Sequence, residues 1–201
     1  NPFWGYEPER PQWKQKYLTA EELELIMTTP LHNARLYIIR DLFLFSCYTG
    51  ISYGDMCLLT KDDLVTDENG TLWIRTSRKK TKVEYEVPLL EVPLHILSKY
   101  RDVEPNGKLL PMYCNSDVNK YLKTIATKCG INRRIVFHAA RHTYATEITL
   151  SHGVPLETVS KMLGHTRVDT TQIYAKVTDD KINADTKRLD NKISERFTIA
   201  I

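Results

Sequence analysis

The feature that most constrains this chain is Leu31 to Tyr48, which reads as one long apolar helix ending near Gly50. Its most apolar part, Leu36 to Tyr48, carries Arg40 and Asp41 in the middle. No run of about 18 apolar residues occurs, so no segment is expected to cross a membrane. Of the 201 residues, 42% are hydrophobic and 26% charged, which supplies enough apolar surface to offset chain entropy and argues against disorder. The length suits one domain, or one with a small appendage.

Local signals place the other elements. Thr19-Ala20-Glu21-Glu22 is a helix start, with Thr19 as N-cap and Glu22 completing a capping box. Leu23, Ile26 and Met27 follow at helical spacing until Pro30. Ser52 to Leu59 reads as a second short helix and Asp62 to Thr66 as a strand. Glu68-Asn69-Gly70 is a turn. Leu72–Thr76 and Val83–Val87 read as strands, the second with Val83, Tyr85 and Val87 alternating against Glu84 and Glu86. Between them Ser77 to Lys82 forms a basic hairpin loop, and Pro88 ends the second strand. From Leu94 the pattern is helical, broken at Pro105-Asn106-Gly107, Gly130, Gly153–Pro155 and Gly164. The expected class is α+β: mostly α-helical, with a small three-stranded antiparallel sheet. Residues 1–18, rich in Pro and Trp, read as an irregular lead-in or linker, and 19–201 as the domain.

Net charge is only +3, but its distribution is uneven. From Val118 to Thr146 there are six basic residues (Lys120, Lys123, Lys128, Arg133, Arg134, Arg141) and no acidic one, and Arg75 to Lys82 holds five basic residues in eight positions. Two such concentrations suggest a polyanion-binding face. Cys47, Cys57, Cys114 and Cys129 show no CxxC pairing and no companion His spacing, so reduced thiols are expected and a zinc site is not. No signal peptide is expected, and a chain that opens at Asn1 is expected to be a fragment of a longer protein.

Some residues suit phosphate chemistry. His138 and Arg141 lie three apart, on one face of a helix; a guanidinium fork beside an imidazole matches a phosphate. Leu156, Val159, Met162 and Leu163 form an apolar helix stripe, with Pro155 in its first turn and Gly164 at its end, so His165 stands just beyond a helix terminus. Tyr174 follows nine residues later. Read together, His138-x-x-Arg141-His142-Thr143-x-Ala145-Thr146, Leu163-Gly164-His165 and Thr170-Thr171-x-x-Tyr174 resemble the C-terminal signature of the tyrosine recombinase (phage integrase) family. The resemblance covers essentially the whole chain. It implies that family's catalytic-domain fold, and the likeness is greatest to integrases of conjugative or mobilisable transposons.

The resemblance also implies roles. Tyr174 would attack the scissile phosphate and form a 3′-phosphotyrosine, Arg141 and His165 would hold the phosphate oxygens, and His138 would assist proton transfer. Lys80, in the hairpin, would protonate the leaving 5′ oxygen, with Lys79 and Lys82 close enough in sequence to leave the register open. Neither a metal nor another cofactor is implied. One departure matters: where the family has an Arg after Thr49-Gly50, this chain has Ser52. Arg40 and Arg78 are the candidates to replace it, and Arg40 is preferred because a charge inside an apolar helix needs a partner or a function. Arg78, Lys79, Lys82, Arg133 and Arg134 are candidate DNA contacts. The implied partners are double-stranded DNA, accessory DNA-bending proteins and further copies of the chain. The copies would form a tetramer through the C-terminal segment, where a charged helix from Val177 leads into an apolar tail, Phe197–Ile201. The implied location is the bacterial cytosol, at the nucleoid. Two alternatives stay open: topoisomerase IB-like strand relaxation, and a non-catalytic DNA-binding relative.

Overall fold

The computed structural model describes residues 16–101, 107–175 and 179–194. The lead-in up to Gln15, the Pro105-Asn106 break and the tail Phe197–Ile201 lie outside the described residues. Helix α1 (Ala20–Thr28) starts at the capping box: the Glu22 amide donates to Thr19 Oγ1 (3.2 Å) and the Thr19 amide to Glu22 Oε2 (3.1 Å). Leu23 and Ile26 are buried, while Met27 sits at the edge of the stripe, where its sulfur accepts from the Tyr48 hydroxyl.

Helix α2 (Ala34–Thr49) is the centre of the molecule. Ile39, Leu42, Phe43, Leu44, Phe45 and Cys47 are all buried. A helix apolar on every side must be packed on every side, and α1, α4 (Glu91–Tyr100), α5 (Asn115–Lys128) and α6 (Ala139–Thr143) do this. The two charges within it have separate partners. Asp41 accepts from Lys99 Nζ (3.2 Å) and the Tyr100 hydroxyl (2.9 Å). Arg40 donates to the Thr29 carbonyl (2.9 Å) and lies over the Tyr37 ring.

Strands β1 (Leu64–Thr66), β2 (Leu72–Ser77) and β3 (Glu84–Pro88) form an antiparallel sheet in that order. Ile74 pairs with Val87 and Thr76 with Tyr85, so Ile74, Tyr85 and Val87 share the buried face. The expected strand from Asp62 is delayed to Leu64. Asp63 reaches back to the Thr60 amide (2.8 Å), and this cap winds Lys61–Asp63 into a 3₁₀ turn. The helix expected from Ser52 to Leu59 is one turn, α3 (Tyr53–Met56), because the chain then bends to pair Thr60 with Lys108.

After α6 the helix widens into a π turn, Tyr144–Thr149. Thr149 Oγ1 lies within reach of the carbonyls four and five residues back, Ala145 (2.8 Å) and Tyr144 (3.0 Å), which fits that wider turn. A 3₁₀ turn, Leu150–His152, leads to α7 (Leu156–Met162), α8 (Asp169–Gln172) and α9 (Asp179–Ser194). No helix among the described residues is long and apolar enough to cross a membrane. All four cysteines are free thiols.

Arg133, expected at a DNA surface, instead ties the start of α1 to the loop after α5. Its Nε and Nη2 donate to Glu22 (2.9 and 2.6 Å), and Nη2 donates also to the Tyr17 carbonyl (2.6 Å). Charge-assisted bonds in a partly buried setting matter to stability. Arg133→Ala is expected to lower unfolding free energy by about 1–3 kcal/mol, measured by urea denaturation; an unchanged midpoint would contradict the tether.

Candidate active site

The site is built where three chain turns meet. Gly50 ends α2 in the left-handed conformation (φ +70°), and a Cβ there would lie 2.4 Å from Tyr144 Cδ1. Only glycine fits both constraints. The turn aims the Gly50 carbonyl at Arg141, whose Nη1 donates to it (2.7 Å), while Nη2 donates to the Leu163 carbonyl (2.6 Å). Nη2 also lies 3.0 Å from His165 Nε2. Arg141 is 3% exposed, and its guanidinium also hydrogen-bonds toward Tyr174. Burial, and then Arg78, lower its pKa to about 10, which leaves it cationic at neutral pH.

Tyr174 follows the short α8 and closes the site. Its ring stacks parallel to His165 (6.5 Å between centroids) and meets His142 edge-on at 5.1 Å; His142 in turn meets His138 edge-on at 4.8 Å. The ring is buried at the edge of the hydrophobic core, and the groups around it include two imidazoles and the Arg141 guanidinium. Burial raises the phenol's pKa, and Arg141 and Arg78 pull it back down.

Arg78 supplies the second guanidinium. It follows β2 at the base of the hairpin, whose turn closes through the Arg78 amide to the Val83 carbonyl and the Lys82 amide to the Arg78 carbonyl, both 2.8 Å. Lys82 takes φ +59° to complete that turn. Buried Asp55 anchors it: its carboxylate accepts from Arg78 Nη1 (2.7 Å), the Lys79 amide (2.9 Å) and the Ser52 hydroxyl (2.8 Å). Arg78 therefore stands close enough to lower the pKa values of His138, His165, Arg141 and Tyr174.

This corrects the preference for Arg40. Ten residues before Gly50 at 1.5 Å per residue, it lies about 15 Å back along α2, held by the Thr29 carbonyl and the Tyr37 ring. Asp55 is a site residue that sequence reasoning missed. Its one signal was the Ser-x-x-Asp capping pattern beginning at Ser52.

Lys79, Lys80 and Lys82 are exposed on the hairpin turn. Lys80 makes no described contact with Tyr174, Arg141 or an imidazole. Arg134 is exposed and borders two cavities. One, of ≈ 420 Å³, is shared with Ser52, His138 and Arg141; the other, of ≈ 710 Å³, is shared with Lys120 and Lys123. Among the described residues no group of three or more His, Cys, Asp or Glu side chains is placed to hold a metal ion.

The imidazoles have a pH consequence. Burial first, then neighbouring charges, lower the pKa of His138, and take His142 and His165 from 6.5 to about 4. The unfolded chain therefore binds more protons than the folded one between about 4 and 6.5, and stability is lost as pH falls through that window. The melting temperature is expected to fall from pH 6.5 to 4, and to fall less in His142→Gln/His165→Gln. Equal slopes for both proteins would contradict the assignment.

A helical domain with a three-stranded sheet, holding a tyrosine between guanidinium and imidazole groups, has the architecture of a tyrosine recombinase catalytic domain. Solved structures share this fold. XerA recombinase superposes with a TM-score of 0.67 at 24% identity, over 96% of this chain and 68% of that one. A XerH site-specific recombinase bound to difH substrate gives 0.69 at 22%, over 90% and 56%. The Tn1549 transposon integrase with a circular intermediate DNA gives 0.68 at 18%, over 94% and 71%. Residues 16–181 match the Phage integrase family, and the chain belongs to it. It is 28% identical over 186 residues to tyrosine recombinase XerC of Neisseria gonorrhoeae, covering 87% of this chain and 59% of the relative. It is 30% identical over 187 residues to tyrosine recombinase XerD of Listeria monocytogenes, covering 85% and 61%. The chain thus spans about three fifths of the curated relatives it matches.

Proposed function

We propose that this chain is the catalytic part of a site-specific DNA recombinase that cleaves and rejoins strands through a 3′-phosphotyrosine, and that it serves the integration or excision of a conjugative or mobilisable element. The observation that carries the proposal is Tyr174 packed between His165 and His142 beside Arg141 and Arg78. A phenol ordinarily ionises near 10, so a nucleophilic tyrosine at neutral pH needs cations at hand and a proton acceptor.

In the proposed step the Tyr174 oxygen forms a bond to phosphorus and the bond from phosphorus to the 5′ oxygen breaks. The phenolic proton passes to His138, whose pKa is lowered below 6.5 so that it is neutral at pH 7, and Lys80, exposed on the hairpin turn, protonates the 5′ oxygen. Arg141 and Arg78 hold the non-bridging oxygens. Arg78 thereby takes the part that Ser52 cannot play. Arg134, Lys79 and Lys82 contact flanking phosphates, with affinity falling as salt rises. Partners in this scheme are duplex DNA, DNA-bending proteins and three further copies of the chain, in the bacterial cytosol. Residues 1–18 would link to a separate DNA-binding domain.

The test is covalent trapping. The full-length protein is incubated with fragmented DNA of its source cell, and protein-linked strands are recovered under denaturing conditions and sequenced. Linked strands sharing one recurrent end at a 3′ phosphate are expected. DNA binding with no linked strand would instead select a non-catalytic DNA-binding protein, and linkage at scattered ends would select topoisomerase-like relaxation.

A further inference from the structure

We infer that Thr171 is a positioning residue that sets the tautomer of His165, and through it the orientation of Arg141. His165 lies between two partners. Its Nε2 is 3.0 Å from Arg141 Nη2, and its Nδ1 is 2.8 Å from Thr171 Oγ1. A guanidinium only donates, so Nε2 must present its lone pair to Arg141. In a neutral ring the hydrogen then resides on Nδ1 and is donated to Thr171 Oγ1.

Thr171 is suited to this. It is fully buried in α8, so water does not compete for the bond. Its backbone is fixed by its amide to the Val168 carbonyl (2.7 Å) and by its carbonyl accepting from the Tyr174 amide (3.0 Å). One residue thus connects the nucleophile's backbone to the imidazole that holds Arg141.

Thr171 also allows the ring to change role without turning. To donate to a phosphate, His165 must take one proton from solvent at Nε2, which ends its acceptance from Arg141 Nη2 and frees that donor for the same phosphate. Nδ1–H stays on Thr171 throughout, so the imidazolium has both hydrogens directed. The groups facing His165 are Arg141 from α6, Arg78 from the hairpin and Tyr174 from the segment after α8. The two guanidiniums oppose that proton in the free protein, and a bound phosphate would offset them.

The catalytic part of this role rests on the proposal that His165 faces a scissile phosphate, whereas the tautomer does not. The experiment therefore has two readouts. Nitrogen-15 NMR of histidine-labelled, DNA-free protein is expected to show His165 with its hydrogen on Nδ1, in wild type and Thr171→Ser, and a loss of that single tautomer in Thr171→Val. With the trapped DNA site as probe, Thr171→Val is expected to form the covalent adduct about 10–100-fold more slowly, by analogy with loss of the outer partner of a metal-bound imidazole. DNA affinity should be unchanged, and Thr171→Ser should recover the rate. Wild-type His165 with its hydrogen on Nε2 would overturn the inference, and this requires no variant to fold. So would Thr171→Val at the wild-type rate. A wild type with the Nδ1 hydrogen but no adduct would instead reject the proposed function and leave the tautomer assignment standing.

Discussion

Tyr174→Phe is expected to take covalent attachment to DNA to background while leaving the fold and DNA affinity in place. The substitution removes one oxygen and keeps the ring, so the stack on His165 and the edge contact with His142 persist. Another phenol near the site does not substitute for it. Tyr85 is 5% exposed, and burial, with Asp55 adding to it, pushes its pKa far above the ordinary tyrosine value. Gel-shift titration and thermal unfolding should match wild type, and denaturing gels should show no protein-linked strand. A residual adduct in this variant would mean that a different nucleophile acts.

Arg78→Gln should slow adduct formation by about 10²–10³-fold, the usual effect of removing one transition-state donor. The magnitude depends on how few cations the site has. With Ser52 in place of a guanidinium, Arg141 and Arg78 are the two arginines that act on Tyr174. Binding should weaken far less, because phosphate contacts are spread over many cations. Arg78→Gln also leaves Asp55 buried without its ion-pair partner, so stability must be measured beside rate. Asp55→Asn separates the two effects: it keeps the Arg78 charge, weakens its anchor and should give an intermediate rate. Arg40→Gln is expected to cleave at the wild-type rate. If Arg40→Gln were slow and Arg78→Gln fast, the assignment would be reversed.

The sequence made the order of elements legible because each was announced locally. The Thr19–Glu22 box started α1, Gly50 ended α2, and the alternation from Val83 to Val87 marked β3. It was less informative where one bond competes with another, as when the Asp63 cap delays β1 or Thr149 widens the helix after α6. For the site, spacing brought together residues close in sequence, and it could not say which distant arginine turns inward. Arg40 looked interesting because it interrupts an apolar helix. The Thr29 carbonyl, placed by tertiary packing, and the Tyr37 ring hold it away from the site. Arg78 looked like one of several loop cations. Its position comes from Asp55, 23 residues earlier, across a fold that no local pattern describes. Arg133 likewise read as surface charge because its partners, Glu22 and Tyr17, lie more than 100 residues away.

The most direct measurement is mass spectrometry of the trapped adduct after digestion with protease and nuclease. The account predicts one modified peptide, containing Tyr174, with a nucleotide joined through its 3′ phosphate to the phenolic oxygen. A nucleotide on any other residue, or one joined through its 5′ phosphate, would contradict it.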